Sequence, residues 1–241
     1  ETSTSDSKTS SITANIYNTY LEKDFGKIRS TLKLGELNTP GLIMESFSYK
    51  GASITSNNEM LKSMLRNYTP KVMGFANSQA VVTIRQNDRV VYQTNVPAGP
   101  FELNDFYVSG MSGDLVVTVK ESDGAEHSFI QPYSSLPEMK REGITDYNIT
   151  TGKLNSGKYY YEPSFLYSSL STGIMNGVTA YGDALFAEKY QSLGLGSTFS
   201  LGMLGALSAD VSLSQAYKNN VKFRGQSYGL KYSKSQVSTG T

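Results

Sequence analysis

The chain has 241 residues, among them 22 glycines, 17 tyrosines and 10 phenylalanines, and it contains no cysteine and no tryptophan. Its formal net charge is +1, and acidic residues are interleaved with basic ones, which argues against a nucleic-acid-binding surface. No apolar run reaches the roughly 20 residues of a membrane-spanning helix, so a helical membrane protein is excluded. The first residues, ETSTSDSKTSS, lack the organisation of a signal peptide, and we expect the chain to be a piece of a longer protein.

Segments with apolar residues at every second position run along most of the chain. They keep their parity for roughly 9–11 residues, which suits a tilted strand across a bilayer better than the roughly 5–6 residues of a sandwich strand. Turn residues such as Asp24, Gly26, Asn176, Gly177 and the pair Asn219-Asn220 separate several of them. The less regular segments are 12–22, 27–37, 46–56, 144–154, 159–171 and 178–188.

Residues 71–133 interrupt this pattern with shorter strands rich in β-branched residues. Asn87-Asp88 and Asp123-Gly124 favour the tight turns of β-hairpins, because these residue types adopt positive φ angles readily. Phe101 and Phe106 are expected to anchor the segment that crosses between the two hairpins. The predicted strands are 80–86, 90–94, 115–119 and 128–130. The insert is therefore predicted to be a small β-sandwich.

The carboxyl-terminal part shows the alternation most clearly, in three further segments. The first opposes Leu193, Leu195, Phe199, Leu201 and Met203 to Gly194, Gly196, Thr198, Ser200 and Gly202. The second opposes Leu207, Ala209, Val211 and Leu213 to Ser208, Asp210, Ser212 and Ser214. The third alternates Arg224, Gln226, Tyr228, Leu230 and Tyr232 with Gly225, Ser227, Gly229, Lys231 and Ser233. Together with the six less regular segments, these make about nine predicted strands. Single-chain bacterial barrels generally have an even number of strands, so we expect this odd set to need further strands from outside the chain.

A series of motifs covers residues 35–153 almost without a gap. They are GELNTPG (35–41), ESFSYKGASITSNNEML (45–61), YTPKVMGFA (68–76), VTIRQNDRVVYQT (82–94), VPAGPFELNDF (96–106), SGDLVVTVKESDG (112–124) and PYSSLPEMKREGITDYNITTGK (132–153). In this order they resemble the outer-membrane ushers of chaperone–usher pilus, or fimbrial, assembly. Downstream, FRGQSYGLKYSKS (223–235) is similar to a further usher barrel strand.

The resemblance implies an all-β fold in which antiparallel transmembrane β-barrel strands carry an inserted small β-sandwich of the Ig-like type, the plug domain. It divides the chain into barrel strands at 1–70, the plug domain at 71–134 and further barrel strands at 135–241. The segment around 35–50 resembles the part of ushers that forms a hairpin folded against the plug.

The resemblance also implies a function in the outer membrane of Gram-negative bacteria. There the chain is expected to form part of the gated pore through which pilus subunits are assembled and secreted, with the plug in the lumen at rest or displaced to the periplasm. The implied partners are periplasmic chaperone–pilus subunit complexes, pilus subunits in transit and outer-membrane lipid, and no nucleic acid. The alternatives are a soluble multi-sandwich adhesin, or other surface binding module, and a polysaccharide-active enzyme.

A plug that can be displaced is expected to be held by polar contacts, which water can replace. Arg85, Arg89, Lys120, Glu121 and Asp123 are the candidates on the insert, although each is individually also compatible with an ordinary solvated loop charge.

Catalytic chemistry is not expected. The only histidine, His127, lies beside Glu126 in a predicted strand and has no partner residues in the sequence for a base or a metal site. The carboxylate pairs Glu121 with Asp123 and Glu102 with Asp105 flank turns, where capping and solvation explain them. We therefore predict no enzyme activity, no catalytic, cofactor-binding or metal-binding residues, and no cofactor.

Overall fold

A computed structural model of the chain describes residues 19–155, 162–218 and 221–234. The predicted strand residues 12–18 and 159–161 and the predicted turn at 219–220 lie outside these ranges. The strands in chain order are β1 (Tyr20–Phe25), β2 (Ser30–Asn38), β3 (Ser48–Ser56), β4 (Val72–Ala76), β5 (Ala80–Gln86), β6 (Arg89–Val96), β7 (Gly99–Leu103), β8 (Leu115–Glu121), β9 (Glu126–Gln131), β10 (Thr145–Leu154), β11 (Ser164–Met175), β12 (Val178–Ala187), β13 (Tyr190–Ser200), β14 (Ala206–Lys218) and β15 (Val221–Ser233).

Helical structure is sparse. The α-helix α1 (Ser63–Arg66) spans 4 residues, and 3₁₀ turns lie at Gly26–Ile28, Asn58–Met60 and Gly202–Leu204. Across the three described ranges, no helix combines the length and hydropathy that crossing a membrane would take.

The largest sheet contains 9 antiparallel strands in the order β1–β2–β3–β10–β11–β12–β13–β14–β15. The alternating segments predicted from the sequence correspond to these strands, with boundaries shifted by a few residues. Strands β3 and β10 pair directly, with Ile54 opposite Ile149, although the inserted strands β4–β9 separate them in the sequence. Within the described residues, β1 and β15 each have one neighbour, so the sheet is open, as expected.

The two faces of the large sheet differ in chemistry. On one face, Leu195 and Leu230 are 59% and 73% exposed. On the other face, Thr150, Thr179 and Thr198 are all 0% exposed. Because successive side chains of a strand point to opposite faces, this confirms the predicted alternation. We call the apolar side the outer face and the polar side the inner face.

The inserted strands form two smaller sheets over a common core. Strands β6, β5, β8 and β9 form a 4-stranded antiparallel sheet, and β4 pairs with β7. The predicted hairpin turns are confirmed, with φ angles of 48° at Asn87, 63° at Asp88 and 89° at Gly124. Phe101 and Phe106 are buried, as expected for anchors of the crossing segment. The other core residues of the insert include Val72, Val82, Ile84, Val108, Leu115, Val117 and Val119.

Two local predictions need correction. Leu201 and Met203 do not continue the apolar row of β13, because that strand ends at Ser200 and both residues lie in the connection to β14. The crossing segment of the insert also contains a strand, β7, in which Pro100 lies opposite Phe75 of β4. Since β4 is the only neighbour of β7 among the described strands, the missing N–H of proline is tolerated there.

Glu121, at the end of β8, binds the connection between β4 and β5 at one end of the insert. Its carboxylate accepts hydrogen bonds from the backbone nitrogens of Asn77 and Ser78, at 2.9 and 2.8 Å, and from the Ser78 hydroxyl at 2.8 Å. These hydrogen bonds hold the pKa of Glu121 below its ordinary value of 4.5. Because the folded pKa is lowered, the carboxylate stabilises the insert above that value, and this contribution is lost as the pH falls through the lowered pKa.

We expect Glu121→Gln to weaken the insert at neutral pH and to reduce the acid dependence of its stability, because the amide cannot accept all of these hydrogen bonds. Amide hydrogen exchange of the full-length parent protein, expressed as protection factors from about pH 6 to about pH 3, measures both effects. Glu126→Gln, which removes an exposed carboxylate from β9, is the control. Equal behaviour of the two variants would contradict the assigned role of Glu121.

Candidate functional site

The connections between the insert and the large sheet meet at one end of that sheet. Strand β3 ends there at Ser56, β10 begins at Thr145, and the β11–β12 turn lies at Asn176 and Gly177. We call this the junction end, and we call residues 57–71 and 132–144 the first and second linkers. The β3–β10 ladder brings the two linkers together, so contacts between insert and sheet concentrate here.

Arg141 of the second linker connects both linkers with the insert. Its Nη2 donates to Thr69 Oγ1 at 2.6 Å and to the Phe106 carbonyl at 3.1 Å. Its Nη1 donates to the carbonyl of Asn104. Burial lowers the pKa of Arg141, and the nearby charge of Asp105 opposes that shift. A guanidinium remains charged even so, and these acceptors compensate for its desolvation.

The backbone around Arg141 is fixed against the large sheet at Gly173 of β11. Gly143 N donates to the Gly173 carbonyl at 2.9 Å, and Gly173 N donates to the Ile144 carbonyl at 3.0 Å. A Cβ atom at Gly173 would lie 2.1 Å from the Arg141 carbonyl oxygen, so only glycine permits this approach. We call Thr69, Asn104, Phe106, Arg141 and Gly173 the junction site.

Aromatic packing accompanies these polar contacts. Tyr68 of the first linker stacks on Tyr133 of the second, with ring centroids 6.5 Å apart, and both belong to the core of the insert. Burial raises the pKa of each phenol. The Tyr68 hydroxyl donates to Asn176 Oδ1 at 3.3 Å, and Ala206 of β14 is buried in the same core. The core of the insert is therefore in contact with the β11–β12 turn and with the first residue of β14.

The second linker also lies across the inner face of the sheet. Lys140 N donates to Thr179 Oγ1 at 2.8 Å, and Lys140 Nζ lies 2.7 Å from Asp146 Oδ2. Glu138 forms an ion pair with Lys231 of β15. These contacts join the linker to β10, β12 and β15.

A second segment lies on the inner face, in the loop 39–47 between β2 and β3. Asp183 of β12 is 3% exposed, and its Oδ2 accepts hydrogen bonds from the backbone nitrogens of Ile43 and Met44, each at 3.0 Å. Gly194 provides the space, since a Cβ atom there would lie 2.5 Å from Asp183 Oδ1.

The expected hairpin at 35–50 requires a correction. Residues 30–38 and 48–56 pair with each other along their full length as part of the large sheet, and only the loop between them folds inward. The hydrogen bonds of Ile43 and Met44 are to the sheet and not to the insert, because Asp183 offers a buried carboxylate on β12.

The predicted polar contacts of the insert are also placed differently. Glu121 forms its hydrogen bonds within the insert. Asp123 Oδ1 accepts a hydrogen bond from Ala125 N, at 2.9 Å, within its own turn. In the part of the chain that the structure describes, no salt bridge joins Arg85, Arg89 or Lys120 to the large sheet. The polar contacts with the large sheet come from the two linkers instead, and most of them from the second.

Sequence reasoning missed Glu138, Lys140 and Arg141. The available signal was the charge density of PEMKREG, which directly precedes a strand that must return to the sheet.

Among the residues considered for chemistry, His127 is exposed on β9, and Glu102 forms an ion pair with Lys71 at 3.0 Å. The described ranges contain no group of three or more metal-ligating side chains.

Comparison with known protein families gives a match along the whole chain. The family model described as outer membrane usher protein matches residues 1–241. The chain is 60% identical over 230 residues to the outer membrane usher protein FasD of Escherichia coli, which covers 94% of this chain and 28% of FasD. It is 40% identical over 226 residues to FimD of Escherichia coli strain K12, covering 93% of this chain and 26% of FimD. The chain thus spans little more than a quarter of these relatives.

Solved structures give the same result. The P pilus tip assembly intermediate PapC–PapD–PapK–PapG of E. coli contains a similar chain, with a TM-score of 0.63 and 36% identity over 92% of this chain and 28% of that one. The translocation pore of the P pilus usher PapC gives a TM-score of 0.52 and 36% identity, covering 90% of this chain and 44% of that one. These matches do not favour the adhesin alternative.

We expect Arg141→Gln to loosen the junction, because the hydrogen bonds to Thr69, Asn104 and Phe106 lose their charged donor. Hydrogen bonds to charged groups contribute about 1.5–3 kcal/mol, so protection of the amides around Thr69 and Phe106 against hydrogen exchange should fall by about tenfold or more in the full-length parent. Arg85→Gln, on the exposed side of β5, should leave these amides unchanged. A junction unaffected by Arg141→Gln would contradict the assignment.

Proposed function

Because the chain belongs to the outer membrane usher family, we propose that it forms part of the gated outer-membrane pore through which chaperone-delivered pilus subunits are assembled and secreted. The observation that carries the proposal is the insertion of a separately folded β-sandwich between two strands, β3 and β10, that pair as direct neighbours. Such an insert is covalently joined to the pore wall at a single place in the strand order, which suits an obstruction that can be displaced.

The proposed division of the chain has barrel strands at 1–70, a plug domain at 71–134 and further barrel strands at 135–241. Its support is that the sheets containing β4–β9 share no strand with the large sheet, and that the core of the insert takes only Ala206 from the described strands of that sheet. The remaining barrel strands belong, in this proposal, to the rest of the parent protein.

The outer face of the large sheet is proposed to contact outer-membrane lipid. Large apolar side chains such as Leu166, Leu170, Phe186 and Leu193 are exposed there, which would be costly in water over so wide a face. Strands β10–β15 have 10–13 residues, and this length matches a tilted strand across the hydrocarbon region. The inner face is then the wall of the pore.

The proposed partners are periplasmic chaperone–pilus subunit complexes and the pilus subunits that pass through the pore. A pore wide enough for folded subunits must be closed at rest, because it would otherwise abolish the permeability barrier of the membrane. We propose that the insert closes it without catalytic chemistry, and that opening exchanges the polar contacts of the second linker for contacts with water.

The proposal predicts that deletion of Val72–Gln131 in the full-length parent, with a short linker in its place, opens the pore. The deletion removes β4–β9 and leaves the β3–β10 ladder in place. Single-channel conductance and sensitivity to large antibiotics should both increase strongly. The Arg141→Gln variant, with the insert retained, should have a smaller effect of the same sign. Unchanged permeability of the deletion variant, at normal levels in the membrane, would show that the insert is not the obstruction.

The lipid-facing assignment predicts that Leu213→Asp impairs membrane assembly more than Ser212→Asp does. Leu213 is on the outer face and 51% exposed, whereas Ser212 is its neighbour on the inner face. A carboxylate on the lipid side costs on the order of 1–3 kcal/mol, depending on depth, while the pore side is wet. The measurement is the amount of folded protein recovered in outer-membrane fractions. Equal recovery of the two variants would reverse the assignment of faces.

A further inference from the structure

We propose that the outer face carries a binding site for the phosphorylated headgroup of an anionic membrane lipid, formed around Arg224. The inference rests on the proposed function, since it needs this face to meet lipid. The site is a cavity of about 440 Å³ that spans β12–β15 at the end of the sheet opposite the junction end.

The strand registers place apolar and polar side chains side by side in this cavity. Along one row, Phe186 is opposite Gln191, Gln191 opposite Gln215, and Gln215 opposite Arg224. Along the next row toward the middle of the sheet, Leu193 is opposite Leu213, and Leu213 opposite Gln226. All of these side chains share one parity, so they project from the outer face together. The cavity therefore has an apolar side and a side of hydrogen-bonding groups.

The polar side offers donors to an anion. Tyr228 Oη donates to Gln226 Oε1 at 3.1 Å, which leaves the amide nitrogen of Gln226 as a donor. Arg224 lies two residues away on the same face of β15, and within the described residues its guanidinium has no carboxylate partner. A guanidinium presents paired N–H groups that match phosphate oxygens.

The side chains around the cavity add to the positive charge of Arg224. Between residues 186 and 226 the basic residues are Lys189, Lys218, Lys222 and Arg224, whereas the acidic residues are Glu188 and Asp210. Asp210 belongs to the inner face, where it accepts a hydrogen bond from the Tyr181 hydroxyl at 3.3 Å. By the same strand parity Lys218 also belongs to the inner face, whereas Lys222 and Arg224 belong to the outer face. Glu188 and Lys189, in the connection between β12 and β13, offset each other in formal charge, so the outer face at this end of the sheet is basic.

A basic, hydrogen-bonding side next to an apolar side indicates which kind of ligand fits this cavity. Exposed Phe186, Leu193 and Leu213, at 51–52% exposure, continue into the apolar band of the outer face and can pack against acyl chains. A lipid whose anionic headgroup is bound at Arg224 would have its acyl chains directed along this band. A free phosphate ion would use only the polar side, and an apolar molecule would leave the cation unpaired. A phosphorylated lipid matches both sides, and basic pockets on membrane proteins bind such headgroups.

The test uses the full-length parent usher, purified in non-ionic detergent, with native mass spectrometry of lipid adducts. The lipids are phosphatidylglycerol, lipid A and zwitterionic phosphatidylcholine, and excess inorganic phosphate is the competitor. We expect adducts with phosphatidylglycerol, lipid A or both in preference to phosphatidylcholine, without displacement by inorganic phosphate. Arg224→Gln should weaken the adduct by about tenfold, since a charged hydrogen-bond donor is lost. Arg224→Lys, which keeps the charge, should retain more of the binding.

Lys153→Gln is the matched control, because Lys153 is an exposed outer-face cation at the same end of the sheet but on β10. Equal loss of binding in Arg224→Gln and Lys153→Gln would indicate general surface charge and overturn the site. Equal binding of phosphatidylcholine, or displacement by inorganic phosphate, would also overturn it. Outer-membrane recovery of each protein is measured in parallel. Absence of the wild type from that fraction refutes the proposed function, whereas normal recovery without lipid selectivity refutes only this site.

Discussion

The structure depends on the direct pairing of β3 with β10. The peptide groups of a strand in a bilayer must find partners within the sheet, because hydrocarbon offers none. The chain therefore has to return to the edge of β3 after the insert, and the ladder that places Thr55 opposite Asn148 brings both linkers to the junction end. Arg141 reaches Thr69 and Phe106 because this ladder sets the second linker beside the first.

The inner face of the sheet shows how a polar wall can hold other segments of the same chain. Small residues leave space on the inner face of the strands. Buried polar side chains then form hydrogen bonds with the chain segments that occupy this space. Gly194 and Asp183 provide one example, in which a glycine on β13 makes space beside a carboxylate that accepts two backbone N–H groups of the loop 39–47. Gly173 provides another, because it lets the second linker lie directly against β11.

Much of the fold could be predicted because it depends on local signals. Asn87 and Asp88 specify their hairpin through backbone preference, and alternation along a strand specifies which face each side chain occupies. Contacts between distant residues carry no such signal. Arg141 bonds to a residue 72 positions away, and Asp183 to one 140 positions away, so their partners follow only from the assembled sheet. Glu121 is intermediate, since its parity with Leu115 already places it on the buried face of β8.

The contacts at the junction end also determine what movement of the insert would require. Tyr68 and Tyr133 belong to the core of the insert, and their stacking can persist if the insert moves as a body. The large sheet contributes to that core through Ala206, whose side chain is a single methyl group, so separation exposes little apolar area. What must break is mainly polar: the hydrogen bonds of Tyr68 and Lys140 to the large sheet, and the ion pairs that Lys140 and Glu138 form with it. Water can replace such partners, and so a closed insert can be held firmly yet released without unfolding.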